Sequence, residues 1–178
     1  MGLWLVLLLT ACGGPGEGGR FEIERVDSRW ANGTLEVNLE QSLELSREAR
    51  NALDHGVALT VEVELILRNA GSQTRVGNGL WSYEIRYLPL SQYYQVTELD
   101  REAVLTFPRL RHALAELSRL RLELETGALP AGDYELLARS NLDKNRMPPP
   151  MRLPATFSAR WLHESTWTAW PMAIHPPG

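Results

Sequence analysis

The sequence is poor in several features that mark common protein classes. It has one cysteine, Cys12, and one lysine, Lys144, and its longest apolar run covers only residues 3–9. A lone cysteine excludes a framework of internal disulfides. An apolar run this short cannot span a bilayer, which takes roughly 20 residues. A nucleic-acid-binding protein needs a basic face, whereas the net charge here is −4, so we expect no nucleic-acid partner.

Motifs that carry enzyme chemistry are also missing from the sequence. There is no Gly-x-Ser-x-Gly nucleophile elbow, and residues 143–146 lack the glycine and the closing glutamate of a calcium loop. Four histidines stand in separate segments without the spacing of a metal site, so we expect surface or capping roles for His55, His112, His163 and His175. The sequence therefore predicts no catalytic residue, no metal and no cofactor.

The short apolar run ends in a pattern typical of protein export. Small residues and then the single cysteine close the run, in the order Leu9, Thr10, Ala11 and Cys12. An apolar core followed by small residues is typical of a secretory signal peptide. The cysteine makes the pattern resemble the lipobox of bacterial lipoproteins, in which the thiol is lipidated. The alternatives are an ordinary N-terminal strand and a plain signal peptide cleaved elsewhere.

This pattern predicts where the protein resides. We expect residues 1–11 to be a lipoprotein signal peptide, and residues 12–20 to form a lipidated N-terminus and a glycine-rich flexible tether. Acyl chains on Cys12 would hold the protein on a membrane, because two or more chains anchor stably. Gly13 follows the cysteine, which by resemblance to Gram-negative lipoproteins favours the outer membrane, facing the periplasm.

Alternating apolar residues predict that most of the remaining chain is β-strand. Residues 21–30 and 34–41 are expected to pair through Asn32-Gly33, because both central residues of a type I′ turn need positive φ. A second hairpin turn is predicted at Gly77-Asn78-Gly79. The same alternation predicts further strands over residues 57–68, 80–88, 93–99, 103–107, 120–125, 134–142 and 156–162.

Two segments have helical rather than strand periodicity. Ser46 is a suitable N-cap for a helix over residues 46–54, and Pro108 suits the first turn of a helix over residues 108–120. Many short strands with regular turns predict a mainly β fold, an antiparallel β-sandwich of Ig-like or related type with two short helices in its connections. We expect this domain to cover residues 21–162 and a Trp/Pro-rich tail to cover residues 163–178.

The aromatic residues are numerous for a chain of this size. Core packing and a C-terminal lid would account for them, because aromatic side chains bury large areas. The functional alternative is an exposed platform, because tryptophan and tyrosine are enriched at binding hot spots. The candidate binding surface consists of Trp161, Trp167, Trp170, Tyr93 and Tyr94.

Four patches in a fixed order resemble a known family. They are residues 52–59, the Tyr-Leu-Pro-Leu-Ser-Gln-Tyr run at 87–93, the Leu-Pro-Ala-Gly-Asp-Tyr run at 129–134, and a tail pattern of Trp161, Ser165, Trp167 and Trp170. This arrangement resembles a proteobacterial lipoprotein family, the domain of unknown function 4390 family. The resemblance implies a periplasmic, membrane-attached, β-rich domain, and it brings no known activity.

A fold pattern without a reactive motif favours function by contact. We expect a non-catalytic interaction or assembly module of the bacterial envelope, with the membrane and an envelope protein as its partners. One alternative is a domain that binds envelope glycan or peptide through exposed aromatic rings. The other is an enzyme whose site escapes motif analysis.

Overall fold

The structure is a computed structural model that describes residues 18–175, and of Pro154 only the backbone. The predicted signal peptide, the lipobox and Cys12 lie outside the described residues. Within them the chain forms β1 Arg20–Ala31, β2 Thr34–Glu44, α1 Arg47–Asp54, β3 Leu59–Asn69, β4 Arg75–Leu88, β5 Tyr93–Glu98, β6 Ala103–Phe107, α2 Leu110–Leu117, β7 Arg119–Glu125, β8 Gly132–Leu142, α3 Pro149–Phe157 and β9 Thr168–Ile174. None of these helices is both long enough and apolar enough to cross a bilayer.

The strands form two antiparallel sheets, so the predicted β-sandwich is confirmed. The smaller sheet has the order β1-β2-β7, and the larger has the order β6-β5-β4-β3-β8-β9. Alternate residues of each strand face the space between the sheets, as the period of two requires. Fully buried side chains from both sheets make up this core, among them Leu35, Leu39, Leu59, Leu65, Leu67, Ile85, Leu122 and Leu136.

The strand directions give the sandwich two distinct ends. Leu59, at the start of β3, pairs with Ile85 near the end of β4, and Leu142, at the end of β8, pairs with Val61. The same end therefore carries Gly18, α1, the β4–β5 turn and α3, and we call it the Gly18 end. The opposite end carries the β1–β2 turn, the β3–β4 turn and residues 126–131, and we call it the hairpin end.

The first hairpin forms where the sequence predicts it. Asn32 and Gly33 have φ values of 52° and 87°, the positive angles that a type I′ turn needs. Ser46 also caps α1 as expected, because its side chain accepts a hydrogen bond from the backbone N–H of Ala49 at 3.1 Å. Local turn and cap chemistry is sufficient to place both features.

The second predicted hairpin turn is wrong. Residues 77–79 lie inside β4, and the chain reverses at residues 70–74, where the Asn69 side chain accepts hydrogen bonds from the backbone N–H groups of Gly71 and Ser72 at 3.1 and 2.9 Å. The glycines in β4 have a packing role. A Cβ at Gly79 would overlap the ring of Trp81, so the missing side chain lets that ring lie against the strand.

The last predicted strand, residues 156–162, is also wrong. This segment is helical, with the end of α3 followed by a 3₁₀ turn at Ala159–Trp161. Prolines at the start of α3 favour a helix, because proline suits the first helical turn. The final strand is β9, which lies within the expected tail and pairs with β8.

Candidate binding groove

The two sheets leave a groove between one edge strand of each. In the part of the chain that the structure describes, β1 pairs only with β2 and β9 pairs only with β8. The two strands run in the same direction, because residues 164–168 lie beside the start of β1 and residues 170–175 lie beside its end. Beside the end of β1, the groove has a volume of about 1010 Å³. This volume is at the upper limit for small-molecule pockets.

Two tryptophans, one from each sheet edge, form much of the groove wall. Trp30 on β1 donates its Nε1–H to Oγ1 of Thr126 at 3.1 Å, and Trp170 on β9 donates to Oγ1 of Thr168 at 3.1 Å. Both indole N–H groups are therefore satisfied within the domain. The rings offer the groove mainly apolar surface, which a partly buried tryptophan presents once its one donor is bonded.

Methionine and serine side chains close the floor of the groove. The Ser28 hydroxyl of β1 lies 3.7 Å from the Met172 sulfur of β9, a weak contact between the two sheet edges. Val26 and Ile174 are buried on either side of it. The floor thus combines the Met172 thioether with one hydroxyl, and buried residues of the core support it.

The charged residues on the rim already have partners. Arg29 forms an ion pair with Glu36 at 2.8 Å, and Arg25 forms one with Asp27 at 2.8 Å. All four side chains are largely exposed, so these pairs contribute little to stability. They do neutralise the rim, and this favours a ligand without strong charge at the groove.

Pro130 lies on the groove rim at the hairpin end, and a hydrogen bond from Tyr134 holds its backbone in place. The buried Tyr134 donates its phenolic O–H to the Pro130 carbonyl at 2.8 Å. The bond runs back four residues, in the manner of the tyrosine corner of Ig-like sandwiches. The Leu-Pro-Ala-Gly-Asp-Tyr run, which the sequence singled out, thereby sets the position of the groove wall.

The two open edges differ in what they offer to another chain. The two-residue β1–β2 turn fixes the alternation of the ladder, so the backbone N–H and C=O groups of Ser28 and Trp30 point away from β2. In β9 the equivalent edge contains Pro171, which has no N–H to donate. The β1 edge is therefore the better template for an added strand.

The structure does not bring the five predicted aromatic residues into one surface. Trp161 is only 8% exposed and packs at the Gly18 end. Tyr93 is exposed at the start of β5, and Tyr94 beside it donates a hydrogen bond to Asp54 at 2.8 Å. Strand β5 is separated from β9 by three strands of the larger sheet.

The two tail tryptophans also lie on different faces of the larger sheet. Trp170 lines the groove. Trp167 is 39% exposed, and its ring stacks on the guanidinium of Arg139 at 4.7 Å. Arg139 itself pairs with Glu64 at 2.9 Å on the outer surface of the sheet. Of the five predicted residues, only Trp170 contributes to the groove.

Several groove residues were not singled out from the sequence. Trp30 and Met172 alternate with polar or small neighbours, which predicts an inward face but does not say that the face is open. The groove exists because β1 and β9 are unpaired edges of different sheets. Strand order is a property of the whole fold, and no local signal in the sequence carries it.

Comparison with known proteins identifies a family. No curated protein and no solved structure matches the chain. One family model covers most of it, and the matched region contains all of β1 to β8 and the first half of β9, including both groove tryptophans. The chain belongs to the family described as a domain of unknown function (DUF4390), whose model matches residues 19–171.

Proposed function

We propose that this protein is a non-catalytic module of the bacterial envelope, anchored to a membrane through lipid on Cys12, that holds an extended segment of another envelope protein in the β1–β9 groove. The observation that carries the proposal is the open β1 edge beside a groove that is walled by two tryptophans and has paired charges on its rim. An added strand would satisfy the free backbone groups of β1, the mode called β-augmentation.

The groove also determines the kind of segment that fits. Backbone hydrogen bonds to Ser28 and Trp30 would hold a strand in register with β1, and alternate side chains of that strand would point toward Trp170 and Met172. The paired rim charges offer little to a charged segment. We therefore propose an extended, mainly apolar segment without strong net charge.

Site-specific photocross-linking in intact cells tests this proposal. A photoreactive amino acid replaces Ala131, which is exposed on the groove rim, and in a control protein replaces Glu40, which is exposed on the outer face of the smaller sheet. We expect a discrete cross-linked product from position 131 alone. Mass spectrometry of that product should identify one extended segment of an envelope protein.

Two tryptophan variants provide the matched comparison. Trp170→Ala should strongly reduce the cross-linked product at position 131, because it removes one groove wall. Trp167→Ala should leave the yield unchanged, because Trp167 lies on the opposite face, over Arg139. Equal yields from positions 131 and 40, or equal losses in the two variants, would show that the groove does not hold the partner.

The glycan alternative is less well supported, because four of the five predicted aromatic residues lie away from the groove. It remains testable with the same two variants. Peptidoglycan fragments that change tryptophan fluorescence in the wild type and in Trp167→Ala, but not in Trp170→Ala, would assign the groove to glycan instead of polypeptide.

A further inference from the structure

Three large apolar side chains are exposed on and just after α3, at the Gly18 end. Leu153 and Phe157 stand one turn apart on α3 and are 71% and 86% exposed, and Leu162, just after the 3₁₀ turn, is 48% exposed. Residues four apart lie on the same face of a helix. We call Leu153, Phe157 and Leu162 the α3 patch.

The N-terminal segment leaves the domain beside this patch. A Cβ on Gly18 would lie 3.1 Å from the carbonyl oxygen of Ala159 and 3.7 Å from that of Leu162, so the Gly18 backbone lies against these residues. Six residue steps separate Gly18 from Cys12. Even fully extended they span at most roughly 20 Å.

The maximum distance between Cys12 and Gly18 is short compared with the length of the domain. Strand β4 alone has 14 residues, which corresponds to roughly 45 Å along the strand direction. A lipid on Cys12 therefore keeps the Gly18 end close to the bilayer surface, while the hairpin end can extend away from it. The exposed apolar side chains are at the end that the anchor holds down.

The charge around the patch differs in sign from that of the whole chain. Residues 143–162 contain four basic residues, Lys144, Arg146, Arg152 and Arg160, and one acidic residue, Asp143, whereas the chain as a whole carries a net charge of −4. Arg146 pairs with Asp143 at 3.4 Å and Arg160 pairs with Glu48 at 3.5 Å, so Lys144 and Arg152 supply the local excess of positive charge. Apolar residues flanked by basic ones are typical of surfaces that bind at the bilayer interface. The apolar side chains enter the headgroup region, and the cations attract anionic lipid.

We infer that the α3 patch rests on the surface of an anionic bilayer as a second membrane contact beside the lipid. This inference rests on the anchor in the proposed function. The contact adds apolar and electrostatic binding to that of the acyl chains. The contact also fixes the orientation of the domain, so that the β1–β9 groove runs away from the membrane toward the hairpin end.

A fluorescent probe tests the inference in the mature protein reconstituted into vesicles of phosphatidylethanolamine and phosphatidylglycerol. Cys12 is the only native cysteine, so a cysteine introduced by Phe157→Cys is the only free thiol when Cys12 is acylated. The matched control is Ala128→Cys, an exposed site at the hairpin end. An NBD label at each site is reduced with external dithionite. We expect roughly tenfold slower reduction at position 157, because a label among the headgroups is shielded from aqueous dithionite.

The possible outcomes distinguish a failure of the α3 patch from a failure of the lipid anchor. If intact mass spectrometry finds acylated Cys12 and one label is incorporated per chain, equal reduction rates at the two positions would overturn the α3 patch alone. Two labels per chain would overturn the anchor, and the inference with it. Protection at position 157 that persists in detergent and grows with protein concentration would assign the patch to a second copy of the chain and overturn the membrane contact.

Discussion

The backbone N–H of Ser46 donates a hydrogen bond to Nε2 of the buried His163 at 2.9 Å. The bond joins the residue that caps α1 to the segment that follows α3, across 117 positions of the chain. Because Nε2 accepts, the neutral imidazole carries its proton on Nδ1. Protonation of Nε2 would therefore break this contact at the Gly18 end.

We predict that stability falls in mild acid because of His163. Burial lowers the pKa of His163 below its usual value of 6.5, and the Lys144 charge adds to the effect, while the polar backbone of Trp161 partly opposes it. The unfolded chain therefore binds the proton more readily than the folded one. The stability contribution is complete above pH 6.5 and is lost progressively as the pH falls below 6.5. Urea unfolding at a series of pH values measures the loss.

Two histidine variants isolate this effect from general acid unfolding. His163→Gln keeps a side-chain oxygen that can accept a hydrogen bond, but it does not titrate, so the unfolding free energy should depend less on pH between 5 and 7. His112→Gln changes an exposed histidine and should retain the wild-type profile. Identical pH profiles for all three proteins would show that His163 is not the group responsible.

Gly19 should be essential to the same packing arrangement. A Cβ there would overlap the imidazole of His163 and lie 2.7 Å from the carbonyl oxygen of Glu44, which is backbone and cannot move aside easily. Gly19→Ala should destabilise the domain by about 1–3 kcal/mol through overpacking. Gly71→Ala is the control, because its Cβ would meet only the Asn69 side chain at 3.5 Å. Thermal unfolding of the two variants compares them, and similar melting temperatures would contradict the prediction.

The sequence predicts the sandwich correctly wherever local chemistry decides the structure. Strict alternation along β3 and the Asn32-Gly33 turn are sufficient to give the strands and their first pairing. At residues 77–79 the same kind of turn signal is misleading. Gly79 instead accommodates the ring of Trp81, and Asn69 organises the turn that precedes β4. A turn signal does not reveal a packing requirement two residues away.

The candidate site depends on longer-range structure and could be predicted only in part. The sequence identifies Trp170 as a candidate, but its position in a groove follows from the pairing of β9 with β8. The sequence predicts a surface or capping role for His163. It is buried and does help to hold α1, through a bond to the backbone of Ser46. Contacts between segments this far apart in the sequence can be predicted only when the complete fold is known.

Tyr134→Phe should connect stability with the groove. Removing the phenolic O–H deletes the 2.8 Å bond to Pro130 and leaves a carbonyl without this partner. The expected cost is about 1 kcal/mol, and the cross-linked product at Ala131 should decrease because the groove rim is less well fixed. Tyr94→Phe removes a comparable bond, to Asp54, at the Gly18 end. That control should leave the cross-linking yield unchanged, and a parallel loss in both variants would argue against a specific role for the rim.

The lipid anchor is testable by replacing the leader. A simple Cys12→Ala change leaves an apolar segment at residues 3–9 that can itself stay in the membrane, so the informative variant replaces residues 1–12 with a signal peptide that is fully cleaved. Without acyl chains this form should move to the soluble periplasmic fraction, because the α3 patch alone is a small apolar contact. Any weak residual binding should disappear in Phe157→Ser and persist in Leu105→Ser, which changes a comparably apolar exposed residue on β6. Firm sedimentation of the cleaved form, resistant to high salt, would show that something other than lipid on Cys12 holds the protein on the membrane.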